Sequence, residues 1–196
     1  MPKMDAKSVS KLTGILFAAI ASVVVYNEGY KEVAYQDSAN VWTICYGETN
    51  GVRPGQVSTR AACDKQLQAS VNEHSKALVG LPEGMPHVVT IGAIDAAYNL
   101  GVDQFRNSQV YSQLLLRNYT DAGKAVLAFR YITVDPKKYP DAVLAGPKGN
   151  KYDCSQFVQG KPNTVCYGLW KRRQWQSQAI SNKYETPEVA IRMLPR

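Results

Sequence analysis

The segment from Asn27 to Gly47, NEGYKEVAYQDSANVWTICYG, carries Glu28 at the close of an apolar run, Asp37 nine residues on and Thr43 six beyond that. Cleaving a glycosidic bond needs a carboxylic acid to protonate the leaving oxygen and a second carboxylate to activate water or stabilise an oxocarbenium-like transition state. Glu28, beside Tyr26 and three valines, is placed for desolvation to favour its acid form, whereas Asp37 in a polar turn should stay ionised. A Thr43 hydroxyl nearby could hold the attacking water in line. Taken as spacing alone, the same three positions also suit a surface Glu, a turn Asp and a strand Thr without chemistry.

Helix, turn and strand must bring these groups together. The apolar run Leu12 to Tyr26 predicts a helix. Val33, Tyr35, Val41, Trp42, Ile44 and Tyr46, interrupted by Asp37-Ser38-Ala39-Asn40, predict short strands around a turn. Ser58-Thr59 opens a helix carrying Leu67, Val71, His74 and Leu78 and ending near Gly80. Pro86 opens the most apolar helix, stopped by Asn99-Leu100-Gly101 and expected at the centre of the core. Shorter helices are expected over about 108–117 and 120–129, with Thr120 as the second one's cap, and another over about 168–181. Prolines and glycines scattered over 131–166 predict a long loop, in which Cys154 and Cys166 could close a ring, and the residues after Ser181 read as a tail. The class is α+β, dominated by helices.

At 196 residues and 45% hydrophobic content the chain can build one compact domain. Its 23 basic against 16 acidic side chains give a net charge of +7, which suits an anionic partner: nucleic acid, a membrane surface or a wall polymer. Four cysteines without a C-x-x-C pair, and only two histidines (His74 and His87), argue against a zinc site; no cofactor is expected. An even cysteine count fits two disulfides in an oxidising compartment. The apolar run follows Lys3, Lys7 and Lys11 like an export signal, with its N-terminus kept inside. Its 15 residues span about 22 Å, short of a hydrocarbon core of ~30 Å. A buried core helix, a signal peptide cleaved at Ala19-Ile20-Ala21, and an uncleaved, temporary anchor compete; Val23, Val24 and Val25, continuing the run past the candidate site, count against cleavage.

The pattern E-G-Y-K-E-V-A-Y-Q-D-S-A-N-V-W-T-I-C-Y-G resembles the signature of the phage lysozymes (endolysins) of glycoside hydrolase family 24, E-G-x-x-x-x-x-Y-x-D-x-x-G-x-x-T-x-G-x-G. Glu28, Gly29, Tyr35, Asp37, Thr43 and Gly47 match, with Asn40 and Cys45 where that family often has Gly. The blocks AAYNLGVDQFRNSQVYSQLL (Ala96 to Leu115) and GLWKRRQWQ (Gly168 to Gln176) follow in the family's order, with Glu48 and Gln176 as departures where His and Glu are usual. The resemblance implies a mostly helical lysozyme-like fold with a small β-sheet after the first helix, and hydrolysis of the β-1,4 bond between N-acetylmuramic acid and N-acetylglucosamine in peptidoglycan, for host cell lysis. It implies Glu28 as acid, Asp37 as second carboxylate and Thr43 as water holder, with inversion and carboxyl groups about 6.5–9.5 Å apart.

The N-terminus is similar to the signal-anchor-release segments of some endolysins, so 1–27 is expected to be such a segment and 28–196 the catalytic domain. The enzyme would be held inactive at the host inner membrane through residues 12–26, N-terminus inside, and later released to the periplasm. Family similarity places cysteines at Cys45 and Cys63; among three possible connectivities the sequence-adjacent one, Cys45 with Cys63 and Cys154 with Cys166, is expected. A monomer is expected. A lytic transglycosylase would attack the same bond without a second carboxylate. A basic, membrane-tethered nucleic-acid binder would rest on Lys171, Arg172 and Arg173, a cluster read here as a solvated helix face with no reader motif, so no nucleic-acid partner is expected.

Overall fold

The computed structural model describes residues 2–37, 40–135, 137–139, 144–146 and 149–195. Helix α1 (Ala6–Glu28) begins at Asp5, whose carboxylate accepts from the Ser8 amide at 2.7 Å, and ends at Gly29. It therefore starts six residues before the apolar run, and its 23 residues rise about 34 Å, enough to span a bilayer core. Val9, Thr13, Leu16, Ile20, Val23 and Val24 recur at helical spacing and are buried, so in the folded chain α1 is a core helix. Lys11, Gly14, Ile15, Ala18 and Ser22 form its open face.

Strands β1 (Lys31–Gln36) and β2 (Trp42–Cys45) follow as an antiparallel pair with Tyr35 opposite Thr43. Helix α2 (Arg60–Ser75) is capped by Thr59, and α3 (His87–Leu100) runs from Pro86 to Gly101, both as expected. Helix α3 is buried almost throughout and packs against α1, α2 and α7. Three shorter helices follow, α4 (Val102–Arg106) packed on α3, α5 (Gln109–Leu115) on α4 and α6, and α6 (Tyr119–Val126) on α7. Helix α6 starts from Asn118, not from Thr120.

Residues 131–162 depart from the expected loop. Strands β3 (Tyr131–Val134), β4 (Leu144–Gly146) and β5 (Gly149–Asp153) form an antiparallel sheet in the order β3-β5-β4, and β6 (Phe157–Val158) pairs with β7 (Lys161–Pro162) as a hairpin. Here Gly and Pro mark turns and short edge strands instead of abolishing pairing. Helix α7 (Tyr167–Ile180) then returns to the core. Gly92 permits its close approach to α3, since a Cβ there would lie 2.9 Å from the Ala179 Cβ. The expected tail contains helix α8 (Pro187–Arg192), begun by Thr186 as cap and Pro187 in the first turn. Trp175 donates to the Ala190 carbonyl at 2.8 Å, fixing α8 to α7.

Candidate active site

Glu28 is the last residue of α1, and Gly29 turns the chain away with φ of 73° while its N–H still bonds the Val25 carbonyl. The Glu28 Oε1 accepts from Arg172 Nη1 at 2.7 Å, across 144 residues of sequence. The other oxygen, Oε2, faces Gly47, where a Cβ would lie 3.2 Å away; the φ of 87° there adds a second reason for glycine. The carboxyl surroundings are thus ionic on one side, and not simply the apolar setting expected from Tyr26 and the valines.

Arg172 is the centre of a buried network that sequence reasoning missed. Its Nη2 and Nε grip Asp95 of α3 at 2.8 and 3.2 Å, while Asn27 (3.1 Å) and Gln176 (2.7 Å) complete the Asp95 carboxylate. Burial works against the Arg172 charge, but Asp95 and Glu28 outweigh it and hold the guanidinium above its ordinary range. Arg173 is also buried: its Nη1 donates to Gln176 Oε1 at 2.7 Å, its Nε to the Phe129 carbonyl at 2.9 Å, and its Nη2 to Asn99. Burial, then the charge of Arg172, pulls the Arg173 guanidinium down to about 10. The basic cluster is therefore no solvated face. Gln176, where the family has Glu, avoids placing a second carboxylate 2.7 Å from Asp95 and uses both ends of its amide instead. The missed signals were Asp95, the single charge in the most apolar helix, and Leu169, Arg172 and Gln176 at helical spacing.

Asp37 stands at the turn between β1 and β2. Its Oδ1 accepts from the Val41 amide at 2.9 Å, and its own amide donates to the Val41 carbonyl at 3.0 Å. Ser38 and Ala39 lie outside the described residues. Asn40 and Cys45, at two family glycine positions, have φ of 60° and 58°. Both positions need the left-handed conformation; Asn tolerates it, and Cys45 is held there by its bond to Cys63. Thr43 is buried, and its hydroxyl donates to the Val41 carbonyl at 3.0 Å, leaving the oxygen's acceptor side for another donor. Burial, then the charges of Asp37 and Glu28, push the Tyr35 phenol up. Glu48 caps the next turn, its Oε1 accepting from the Thr49 and Asn50 amides at 2.9 and 2.7 Å. A second disulfide joins Cys154 to Cys166.

A helical body with a small β-hairpin after its first helix, a carboxylate at that helix's end and an Asp in the hairpin turn define a lysozyme-like protein. The phage lysozyme profile matches residues 25–146, and the chain belongs to this family. It is 31% identical over 112 residues to a SAR-endolysin of Bacteriophage PS119, a match spanning 49% of this chain and 63%, less than two thirds, of that relative. Its fold is similar to that of an endolysin from Escherichia coli O157:H7 phage FAHEc1, with TM-score 0.64 and 19% identity over 86% of this chain and 94% of that one. It is also similar to the muramidase domain of SpmX from Asticaccaulis excentricus, with TM-score 0.59 and 19% identity over 83% and 94% of the two chains. The active form of the P1 phage endolysin Lyz matches with TM-score 0.57 and 15% identity over 89% of this chain and 94% of that one.

Proposed function

We propose that the chain is an endolysin that hydrolyses the β-1,4 bond between N-acetylmuramic acid and N-acetylglucosamine in peptidoglycan. The observation that carries this reading is the placement of Glu28: a carboxyl at the end of α1 with one oxygen on Arg172 and the other against Gly47. With Oε1 engaged by Arg172, the proton delivered to the leaving oxygen belongs on Oε2. Asp37 then activates a water that donates to the Thr43 oxygen and attacks the opposite face of the sugar. Each turnover breaks the glycosidic C–O bond, leaves the Glu28 proton on the departing oxygen and the water's hydroxyl on the anomeric carbon, and the proton taken up by Asp37 passes through solvent to re-protonate Glu28.

The test is product analysis on purified peptidoglycan. Hydrolysis predicts a reducing end with inverted anomeric configuration, read by NMR before mutarotation. An anhydro end would mean transglycosylation and overturn the reading, and a retained anomer would reject the water-attack role of Asp37.

The N-terminal helix supports a second part of the proposal, tethering to the host inner membrane followed by release to the periplasm. Helix α1 has a mean hydropathy of 1.9 over 18 residues, so it is long and apolar enough to cross a bilayer. Lys3, Lys7 and Lys11 favour an orientation with the N-terminus inside. While α1 is in lipid, Glu28 is at the membrane face, and six side chains that fill the domain's core are absent from it. Glu28 then cannot meet Arg172, and the acid is misplaced. Gly14 and Ser22 are both on the open face, and no atom would contact a Cβ at Gly14, so Leu at both positions strengthens the anchor without disturbing the folded state. The double variant is expected to stay in the membrane fraction and delay lysis; wild-type lysis timing with the protein fully membrane-bound would refute inactivation by tethering.

A further inference from the structure

The β6–β7 hairpin presents apolar side chains to solvent from a rigid mount. Phe157 is 58% exposed and Val158 49% exposed. Gln159 and Gly160, with φ of 52° and 76°, make the two-residue turn. The Cys154–Cys166 disulfide closes the base, and Asn163 spends its whole amide there: Nδ2 donates to the Cys154 and Gln156 carbonyls at 2.9 and 3.0 Å, and Oδ1 accepts from the Val165 and Cys166 amides. Cys166 is also the cap residue of α7, so the hairpin is bolted to the helix that carries Arg172.

Register decides which residues share a face. Phe157 is directly opposite Pro162, and the Phe157 ring meets Tyr167 edge-on at 5.5 Å, so these three form one apolar platform. Val158 and Lys161 form the other face. One residue beyond Tyr167, a pocket of about 420 Å³ begins, lined by Gly168, Leu169, Arg172, Tyr26 and Asn27. Asn27 immediately precedes Glu28. The pocket thus lies between the first turn of α7, where Tyr167 stands, and Arg172, whose Nη1 is 2.7 Å from Glu28 Oε1.

We propose that the Phe157, Pro162 and Tyr167 platform is a substrate subsite that grips the peptidoglycan glycan strand away from the bond being cut. The inference rests on the endolysin reading above. The occupant is a glycan because pyranose rings offer apolar faces that stack on an exposed aromatic ring, and because next to Tyr167 in the chain begins the recess lined by Arg172, the partner of Glu28, which a flat bilayer does not enter. The net charge of +7 suits the carboxylates of the wall's peptide stems. A rigid mount means that little conformational entropy is lost when the strand docks.

The experiment is co-sedimentation with purified insoluble peptidoglycan, using the full chain carrying Glu28→Gln so that the polymer survives. Adding Phe157→Ser should weaken binding by about five- to tenfold, and Phe157→Trp should restore it. In the active chain the same substitution should raise KM on the polymer. Val57→Ser, at an exposed apolar site bridged to Val33 of β1, should leave binding as it was. Binding of the Phe157→Ser chain within twofold of its parent, with circular dichroism unchanged, overturns the subsite. So does loss of flotation with anionic phospholipid vesicles while binding to peptidoglycan is kept, which would make the hairpin a membrane contact. If the hairpin variants lose binding but the wild type cleaves no peptidoglycan, the subsite stands and the catalytic reading falls.

Discussion

Replacing Glu28 by Gln is expected to lower turnover on purified peptidoglycan by about 10³-fold or more, because the amide cannot give up a proton to the leaving oxygen. The fold should survive: an amide oxygen at that position can still accept from Arg172 Nη1, and the side chain remains compatible with Gly47. Turnover of the purified variant, measured by release of reducing ends beside a thermal melt, checks both halves. Retention of a tenth or more of the wild-type rate would remove Glu28 from the role of acid. A melt far below wild type would instead place Glu28 in the folding of the domain.

Arg172→Met is expected to cost about 3–5 kcal/mol of stability, because it leaves a buried carboxylate without its cation. Asp95 is 1% exposed and would keep only the neutral donors Asn27 and Gln176. For a chain of this length the loss corresponds to a drop in Tm of about 10 °C. Glu28 would also lose the contact that orients it, so kcat should fall by about tenfold to a hundredfold even well below the melting temperature. Arg172→Lys should fall between the two, since one ammonium cannot present the fork that now reaches both Glu28 and Asp95. A Met variant that melts within 2 °C of wild type and turns over normally would show that neither carboxylate depends on this arginine.

Much of the site was legible because its determinants are local. Glu28 ends one helix, Asp37 sits in the following turn and Thr43 is in the returning strand, all within 16 residues of sequence. Helix starts at Thr59 and Ser108 follow from side chains that satisfy amides three residues on. The left-handed backbone at Asn40 and Cys45 is likewise a local demand, visible as departures from family glycines once the conformation is known. In two segments local signals compete. Thr186-Pro187-Glu188 is a sound helix start inside a polar C-terminal stretch, and the short alternation at Tyr131–Val134 forms a strand despite the prolines over 131–166.

The sequence by itself determined the chemistry available: a Glu, an Asp and a Thr at fixed spacing, a basic net charge, four cysteines and an apolar run near the N-terminus. Only the tertiary structure decided what surrounds the acid. Arg172 comes from 144 residues away, and no local pattern says which of two adjacent arginines reaches Glu28 and which bonds Asn99 and Phe129. Tertiary packing likewise gave α1 a partner for its apolar face, since Val9, Leu16, Ile20 and Val24 can be buried in protein or in lipid with nearly the same gain. Hydrophobicity is a property of the residue and can be read in order along the chain. Which surface covers it is a property of everything else that folds around it.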